Sequence, residues 1–273
     1  MTMTLGRVVR NGTVAVLAAL WLVPTWLLVV NALVPAGSYS GSPHWLPQDF
    51  GLFANMAQAW DKAHLGPALG NSLVYSVASA VAAVVVATFA AFATIIMPVK
   101  RRVLWFWVIY SGTLLPLQVF IRPLFLSYAE SSLYDTQFGL VLIYTAIAIP
   151  FAFFVMRNYA LTLPREVIEA ARMDGASWWR VFWQIHVPLS RSAMIAVFVF
   201  QFVAVWNDLM FGITLTTSRN IRPVMAALAD LQGNYSNVGP PVVLAGALLV
   251  SLPTLVLFFS AQRFFISSLR ITR

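Results

Sequence analysis

The chain of 273 residues has no cysteine and few charged residues. Without cysteine, disulfides and thiolate metal sites are excluded, and the redox compartment stays open. Only 10% of the residues are charged, whereas 60% are hydrophobic. That leaves too little polar material to cover a soluble globule of this length. The sequence also lacks a phosphate loop of the GxxxxGK[ST] type, so it does not hold ATP in that way. These absences predict an integral membrane protein that takes its energy from another subunit.

Six apolar stretches are long enough to cross a bilayer, which needs about 20 apolar residues per helix. The first could be mistaken for a signal peptide, but it is longer than a usual h-region and no clean cleavage site follows it. The pattern therefore predicts an all-α integral membrane protein forming a single transmembrane domain over residues 1–273. The predicted spans cover residues 13–34, 71–97, 103–126, 137–159, 193–215 and 241–264.

The basic residues are unevenly distributed between the connections. Thirteen of the 17 Lys and Arg residues fall on one side of the six spans, including the short KRR sequence at 100–102. The positive-inside rule therefore predicts cytoplasmic N- and C-termini and places residues 160–192 in the cytoplasm. The net charge of +8 is read as a topology signal and as contact with the lipid bilayer. Nucleic-acid binding is not expected, because it needs a soluble basic module with stacking aromatics.

The connection at 160–192 contains the sequence EAARMDGASWWRVFWQIHVPL. Its pattern predicts two short helices: the first extends to Asp174, and Gly175 turns the chain in a left-handed conformation. Ser177 caps the second helix, and Pro188 is expected to end it. Trp178, Phe182 and Ile185 form an apolar stripe on that second helix. This hairpin is too apolar for free cytosol and too charged for lipid, so we expect a protein partner.

The same stretch resembles the EAA loop of ABC importer permeases, and residues 70–270 resemble the smaller permease of maltose-type carbohydrate importers. Supporting pieces are NSLVYSV, LLPLQVFIRPLF, VWNDLMF and QRFFISSL. The resemblance implies a non-enzymatic permease of the bacterial inner membrane that imports a sugar or oligosaccharide by alternating access. It further implies a second, different permease, two ATPase subunits that hold ATP and Mg, and an extracytoplasmic sugar-binding protein. No cofactor is expected in this chain.

The resemblance also assigns ATPase coupling to five residues, Glu169, Ala170, Ala171, Asp174 and Gly175. Their chemistry suits that role: the two alanines remove bulk so that a groove can close on the helix, the glycine permits the turn, and the glutamate offers a charge to a cationic group. The C-terminal RITR departs from the family's usual Gly and Lys ending, which makes a tail contact with the ATPase doubtful.

Polar residues inside the fifth predicted span suggest a substrate path, since ionisable residues within a membrane are costly and usually functional. Gln201 and Asp208 are seven residues apart and so share a helix face. Hydroxyl-binding groups beside an aromatic ring suit a carbohydrate. The same residues could equally join spans or cap a helix break. The candidates in this span are Gln201, Trp206, Asn207 and Asp208, and Gln118, between Pro116 and Pro123 in the third predicted span, is a further candidate.

Other interpretations remain open at this point. The chain could import another polar solute, such as a polyamine or a phosphodiester. An ion-coupled secondary transporter would need buried carboxylates in repeated halves, but only Asp208 lies deep in a span.

His44, His64 and His186 have no metal-ligand spacing. A stripe of small residues on the second span, Ser79, Ala83, Ala87 and Ala91, predicts close helix packing.

Overall fold

The computed structural model describes residues 5–47, 49–233 and 238–269. All regular structure in these ranges is helical, as predicted. Arg270 and Arg273 of the charge count, and the RITR ending, lie outside the described residues, as does the side chain of Arg263. The α-helices are α1 Leu5–Leu33, α2 Leu52–Lys62, α3 Leu65–Ile95, α4 Arg102–Tyr110, α5 Leu117–Ala129, α6 Gln137–Ala160, α7 Arg165–Met173, α8 Trp178–Val181, α9 Val187–Trp206, α10 Met210–Leu215, α11 Val224–Asp230 and α12 Pro240–Leu269.

Among the described residues, five helices are long and apolar enough to cross a membrane, and a bent pair supplies a sixth if it is counted as one span. The bent pair joins Arg102–Thr113 to Leu117–Ala129 at an angle of 86°. This agrees with an all-α membrane protein of six spans. The five continuous segments are Val9–Leu33, Leu65–Ile95, Gln137–Ala160, Trp178–Trp206 and Pro240–Gln262.

The sharp bend has a local cause at Pro116. This residue adopts an extended conformation, with ψ 118°, immediately before α5. Proline has no N–H to continue the preceding helix, and its ring disfavours helical geometry in the residue before it. Gly112 allows the turn before the bend to approach α6, because a Cβ at this position would lie 2.7 Å from Cγ of Pro150. Pro123, in contrast, lies inside α5, and that helix continues past it to Ala129.

The prediction that Pro188 ends the second hairpin helix is wrong. Residues Phe182–His186 form a π-helical turn, and α9 follows without interruption, so Trp178–Trp206 is one 29-residue helical segment. The N–H of Val187 donates to the carbonyl of Phe182, five residues earlier. A proline ring ordinarily clashes with the carbonyl four residues before it. The wider π turn displaces that carbonyl, and Pro188 then falls in the first turn of α9, where its missing N–H is tolerated.

The chain divides into two compact units, which are described separately. Unit 1 contains the described residues of Met1–Leu65 and Ala227–Ser251, and unit 2 those of Gly66–Ala226 and Leu252–Arg273.

In unit 1, two asparagines fasten the segment that follows α1. The side-chain amide of Asn55, in α2, donates to the carbonyls of Ala32 and Val34 at 2.9 and 2.8 Å. Asn31 donates to the carbonyl of His44 at 2.9 Å and accepts from its N–H at 2.8 Å. Both asparagines are buried. They satisfy backbone groups that an apolar surrounding would otherwise leave unpaired.

In unit 2, α3, α6 and α9 pack through small side chains, as the stripe on the second span predicted. Ala83, Ala87 and Ala91 are fully buried in a cluster that also contains Ala152 of α6 and Val197 of α9. Small residues let helix backbones approach closely, which is how helices associate in lipid. These three helices carry the candidate sites described below.

Candidate functional site

The hairpin formed by α7 and α8 turns through a Schellman motif at Gly175. This residue has φ +82°, its N–H donates to the carbonyl of Arg172 at 3.1 Å, and the N–H of Ala176 donates to the carbonyl of Ala171 at 3.0 Å. The pattern ends a helix by satisfying its last carbonyls. The hydroxyl of Ser177 accepts from the N–H of Arg180 at 3.3 Å. The left-handed glycine and the serine cap are therefore confirmed.

Arg172 joins the two arms of the hairpin, a role that was not predicted. Its guanidinium donates to the carbonyl of Ala176 and lies 4.3 Å from the ring centroid of Trp178. Stacking of a guanidinium on an aromatic face adds a cation–π attraction. The only signal in the sequence is an arginine and a tryptophan on either side of a glycine turn.

The inner face of the hairpin packs against the end of α3. Phe182 is buried and stacks on Phe89 at 4.2 Å with an interplanar angle of 12°. Phe92, Ile168 and Val181 belong to the same buried cluster. Its own chain therefore covers part of the apolar stripe that we expected a partner to cover. A displacement of the hairpin would act directly on α3 through this cluster, because packed interiors are close to incompressible.

Four of the five motif residues are exposed on the outer face of the hairpin. Glu169, Ala170, Asp174 and Gly175 are exposed, whereas Ala171 is half-buried against the inner cluster. Within the part of the chain that the structure describes, no side-chain hydrogen bond uses the carboxylate of Glu169 or that of Asp174. Sequence reasoning missed Met173, which is 89% exposed at the tip of the hairpin. A methionine in a charged helix was the available signal, since flexible thioethers suit adaptable contact surfaces.

A second site is a cavity of about 110 Å³ where α6 faces the break that follows α9. It contains both Gln201 and Asp208, which the seven-residue spacing had placed on one face. Pockets that enclose drug-sized ligands measure about 300–1,000 Å³, so this cavity is too small to enclose an oligosaccharide in the present conformation. Its lining comprises Leu117, Tyr144, Ile147, Ala148, Gln201, Ala204, Val205, Asp208 and Phe211.

Asp208 lies in the break between α9 and α10, and its carboxylate accepts three hydrogen bonds. Its Oδ2 accepts from the hydroxyl of Tyr144 at 2.9 Å and from the N–H groups of Phe211 and Gly212, both at 3.1 Å. The carboxylate therefore caps α10 while facing the cavity. Tyr144 was not predicted, since one tyrosine in an apolar span carries no distinctive pattern. Asp208 therefore caps a helix break, which was one of the two interpretations of this residue, and its carboxylate also lines the cavity.

The other path candidates are placed differently. Gln201 is buried, and its amide donates to the carbonyl of Ala148 at 3.1 Å. Trp206 is 2% exposed and stacks on Phe202 at 5.6 Å, so its ring offers no free face to a sugar here. Asn207 and Gln118 are exposed and do not line the cavity. Only Gln201 and Asp208 of the five candidates are brought together in it.

Polar residues at the start of α3 fasten the loop before α11. The amide of Asn71 donates to the carbonyl of Asn220 at 2.8 Å, the hydroxyl of Ser72 accepts from the N–H of Val224 at 2.8 Å, and the hydroxyl of Tyr75 donates to the carbonyl of Ile221 at 2.7 Å. The NSLVYSV sequence, which supported the family resemblance, thus has a structural task in holding this loop.

Asp135 fastens the segment after α10. It has φ +56°, its Oδ1 accepts from the N–H groups of Thr217 and Ser218 at 2.7 and 2.9 Å, and its Oδ2 accepts from the Ser218 hydroxyl. Burial by itself would raise the pKa of Asp135, but the hydrogen bonds from Ser218 and Thr217 outweigh it and hold the pKa below its usual value. Donors to a carboxylate favour its charged form.

The described residues contain no group of three or more His, Cys, Asp or Glu side chains that could hold a metal ion. His186 is fully buried and packs against Phe92 and Phe182, with ring centroids 5.2 and 5.9 Å away.

Comparisons with known proteins agree with this arrangement. The family described as binding-protein-dependent transport system inner membrane component matches residues 1–270. The chain is 33% identical over 257 residues to the osmoprotective compounds uptake permease protein GgtD of Synechocystis sp., covering 92% of this chain and 86% of the relative. It is 30% identical over 245 residues to the diacetylchitobiose uptake system permease protein NgcG of Streptomyces coelicolor, covering 89% and 80%. A crystal structure of a bacterial ABC transporter involved in the import of the acidic polysaccharide alginate shares the fold, with a TM-score of 0.77 at 19% identity over 97% of this chain and 99% of the other.

Proposed function

Because the chain belongs to the family of binding-protein-dependent transport system inner membrane components, we propose that it is the permease subunit that admits a sugar or oligosaccharide in an ATP-driven importer. A separate ATPase would supply the energy by docking on the hairpin. The chain would contribute the path and the coupling element, with ATP and Mg held by the partner ATPase.

The observation that carries this proposal is the continuity of helix between the two sites. One helical segment extends from Trp178, at the hairpin, to Trp206, next to Asp208. At 1.5 Å per residue its 29 residues are about 43 Å long, which exceeds a bilayer core of about 30 Å. An inward or outward movement of the hairpin would therefore shift the far end of the same helix. A rigid secondary element is one means by which distant sites are coupled.

The break after α9 is where a shift of that helix would change the path. Asp208 holds Tyr144 and the start of α10 at the same carboxylate oxygen. Displacement of α9 would stretch these bonds and widen the cavity. The carboxylate and the Tyr144 hydroxyl would then be available to sugar hydroxyls, whose recognition needs a few placed polar groups in an otherwise apolar pocket.

The remaining parts of the assembly are those that the family resemblance implies. The exposed Ala170 and Met173 would enter a groove of the ATPase, and the unpaired carboxylate of Glu169 would meet a cationic group there. A second, different permease, a second ATPase and an extracytoplasmic binding protein would complete the importer. The hairpin and both termini would lie on the cytoplasmic side, as the distribution of basic residues predicts. The sugar assignment is supported by the resemblance to carbohydrate permeases and by the diacetylchitobiose relative.

The test is transport by the complete importer in proteoliposomes, with the ATPase subunits co-expressed. Uptake should require ATP on the side of the hairpin and should continue after the proton gradient is collapsed. Glu169→Lys should lose the ATPase during purification, because it places like charge against a cationic groove. Glu130→Lys, the same change at an exposed residue outside the hairpin, is the matched control and should retain the ATPase. Uptake that survives ATP depletion but collapses with the proton gradient would instead indicate a secondary transporter.

A further inference from the structure

A groove beside the hairpin combines arginines with an apolar floor, and it shares Glu169, Arg172 and Met173 with the hairpin. Its volume is about 460 Å³, and it lies where α3 and α6 end and where α4 and α7 begin. Arg102, Arg165 and Arg172 line it together with one carboxylate, Glu169. The three guanidinium groups exceed the single carboxylate by two positive charges.

The arginines at the two helix starts are available to a ligand. Among the described residues, no hydrogen bond or ion pair uses the guanidinium of Arg102 or that of Arg165. Each is the first residue of a nine-residue helix that has no side-chain N-cap hydrogen bond. The first N–H groups of a helix and its positive dipole end favour an anion. The ends of α3 and α6 contribute opposing dipoles nearby, so the guanidinium groups must supply most of the selectivity.

The floor of the groove is apolar, with Ile95, Ile96, Leu163, Ile168 and Trp178 among its lining residues. A free phosphate has few atoms and would leave this part unfilled. A phosphate carried by a glycerol with acyl chains would fill it, because arginines contact the phosphate and aliphatic side chains contact the hydrocarbon. The groove also lies at the end of α3, a helix long and apolar enough to cross a membrane.

We propose that this groove binds an anionic phospholipid, with its phosphate at Arg102 and Arg165 and the start of its acyl chains against the apolar floor. A lipid in this position would lie between the hairpin and the transmembrane helices, and would set how freely the hairpin moves. The proposal requires only that the chain lies in a membrane, so it holds or fails independently of the transported solute.

The test is native mass spectrometry of the full chain in detergent, titrated with dioleoyl phosphatidylglycerol or with dioleoyl phosphatidylcholine. We expect one phosphatidylglycerol to bind at least tenfold more tightly than phosphatidylcholine, which has the same acyl chains. The double variant Arg102→Gln and Arg165→Gln should lower the affinity for phosphatidylglycerol at least tenfold. Arg180→Gln, an exposed arginine of the same hairpin outside the groove, is the control and should change the affinity less than twofold.

Two further variants test whether lipid binding depends on the charge and on the shape of the groove, and not only on correct folding. The double variant Arg102→Lys and Arg165→Lys keeps the charge and should retain binding within about threefold. Leu163→Trp keeps every charge but fills the apolar part, and should also lower the affinity at least tenfold. Equal affinity of wild type and double glutamine variant, or no preference over phosphatidylcholine, would overturn the proposal. Displacement of the lipid by millimolar inorganic phosphate would assign the arginines to a free phosphate compound and would equally refute it.

Discussion

Gly175→Val perturbs the turn of the hairpin without touching the transmembrane helices. A Cβ at Gly175 would meet no atom within 4 Å, so a clash of that atom is not the cause of the effect. The cost comes from φ +82°, a conformation that penalises an L-residue by about 1–2 kcal/mol and a β-branched one by somewhat more.

A cost of about 2 kcal/mol lowers the ratio of turned to unturned hairpin about 30-fold, since each 1.4 kcal/mol is a factor of ten. The two hydrogen bonds of the Schellman motif, at 3.1 and 3.0 Å, would be lost in the unturned state. The chain should still insert into the membrane, because the long apolar helices do not depend on this turn. We therefore expect normal membrane insertion, weak recovery of the ATPase and poor transport.

The assay has two readouts, the ATPase subunit recovered with the purified chain and hydrogen exchange at the amide of Ala176, which donates within the motif. Gly175→Asn is the matched control, because asparagine tolerates the left-handed region far better than a β-branched residue. It should recover the ATPase to near the wild-type amount. The reasoning is refuted if the valine variant keeps both the protection of Ala176 and full ATPase recovery.

Three further predictions concern the cavity at Asp208, the hydrogen bonds from Asp135 to the segment after α10, and the topology. Asp208→Asn keeps an acceptor for the amides of α10, so the variant should assemble normally while its transport falls. Asp208→Ala should also lose about 1–3 kcal/mol of stability. Normal transport by Asp208→Asn would show that the charge of Asp208 has no part in the path. The pKa of Asp135 is lowered from 3.8. Its contribution to the stability of the fold is therefore present above that pH and is lost only as the pH falls through the lower pKa of the folded state. The hydrogen-exchange rates of the Thr217 and Ser218 amides, corrected for the intrinsic rate, should thus be independent of pH between about 5 and 8. They should be faster in Asp135→Asn. Equal protection of these amides in that variant would show that the Asp135 carboxylate does not hold the segment. In this cysteine-free chain, Met173→Cys should be labelled only from the cytoplasm and Ser42→Cys only from outside, and external labelling of position 173 in sealed cells would overturn the topology.

Several features could be predicted from the sequence because they depend on composition or on neighbouring residues. Membrane insertion follows from apolar length alone. The left-handed turn at Gly175 and the cap at Ser177 follow from the backbone freedom of glycine and the reach of a serine hydroxyl. The shared face of Gln201 and Asp208 follows from helix periodicity. Each of these involves atoms only a few residues apart, so the local pattern is sufficient.

The features that were missed join residues far apart in the chain. Tyr144 meets Asp208 across 64 positions, and no pattern within α6 indicates that contact. The apolar stripe of the hairpin is covered by Phe89 and Phe92 of α3, a pairing that only the packing of two elements determines. Pro188 continues a helix because a π turn moves one carbonyl aside. The sequence by itself determined which segments are apolar enough to span a membrane and where the hairpin turns, because those properties are local. Only the tertiary structure decided which groups the carboxylates of Asp135 and Asp208 meet, because that choice depends on the elements packed around them.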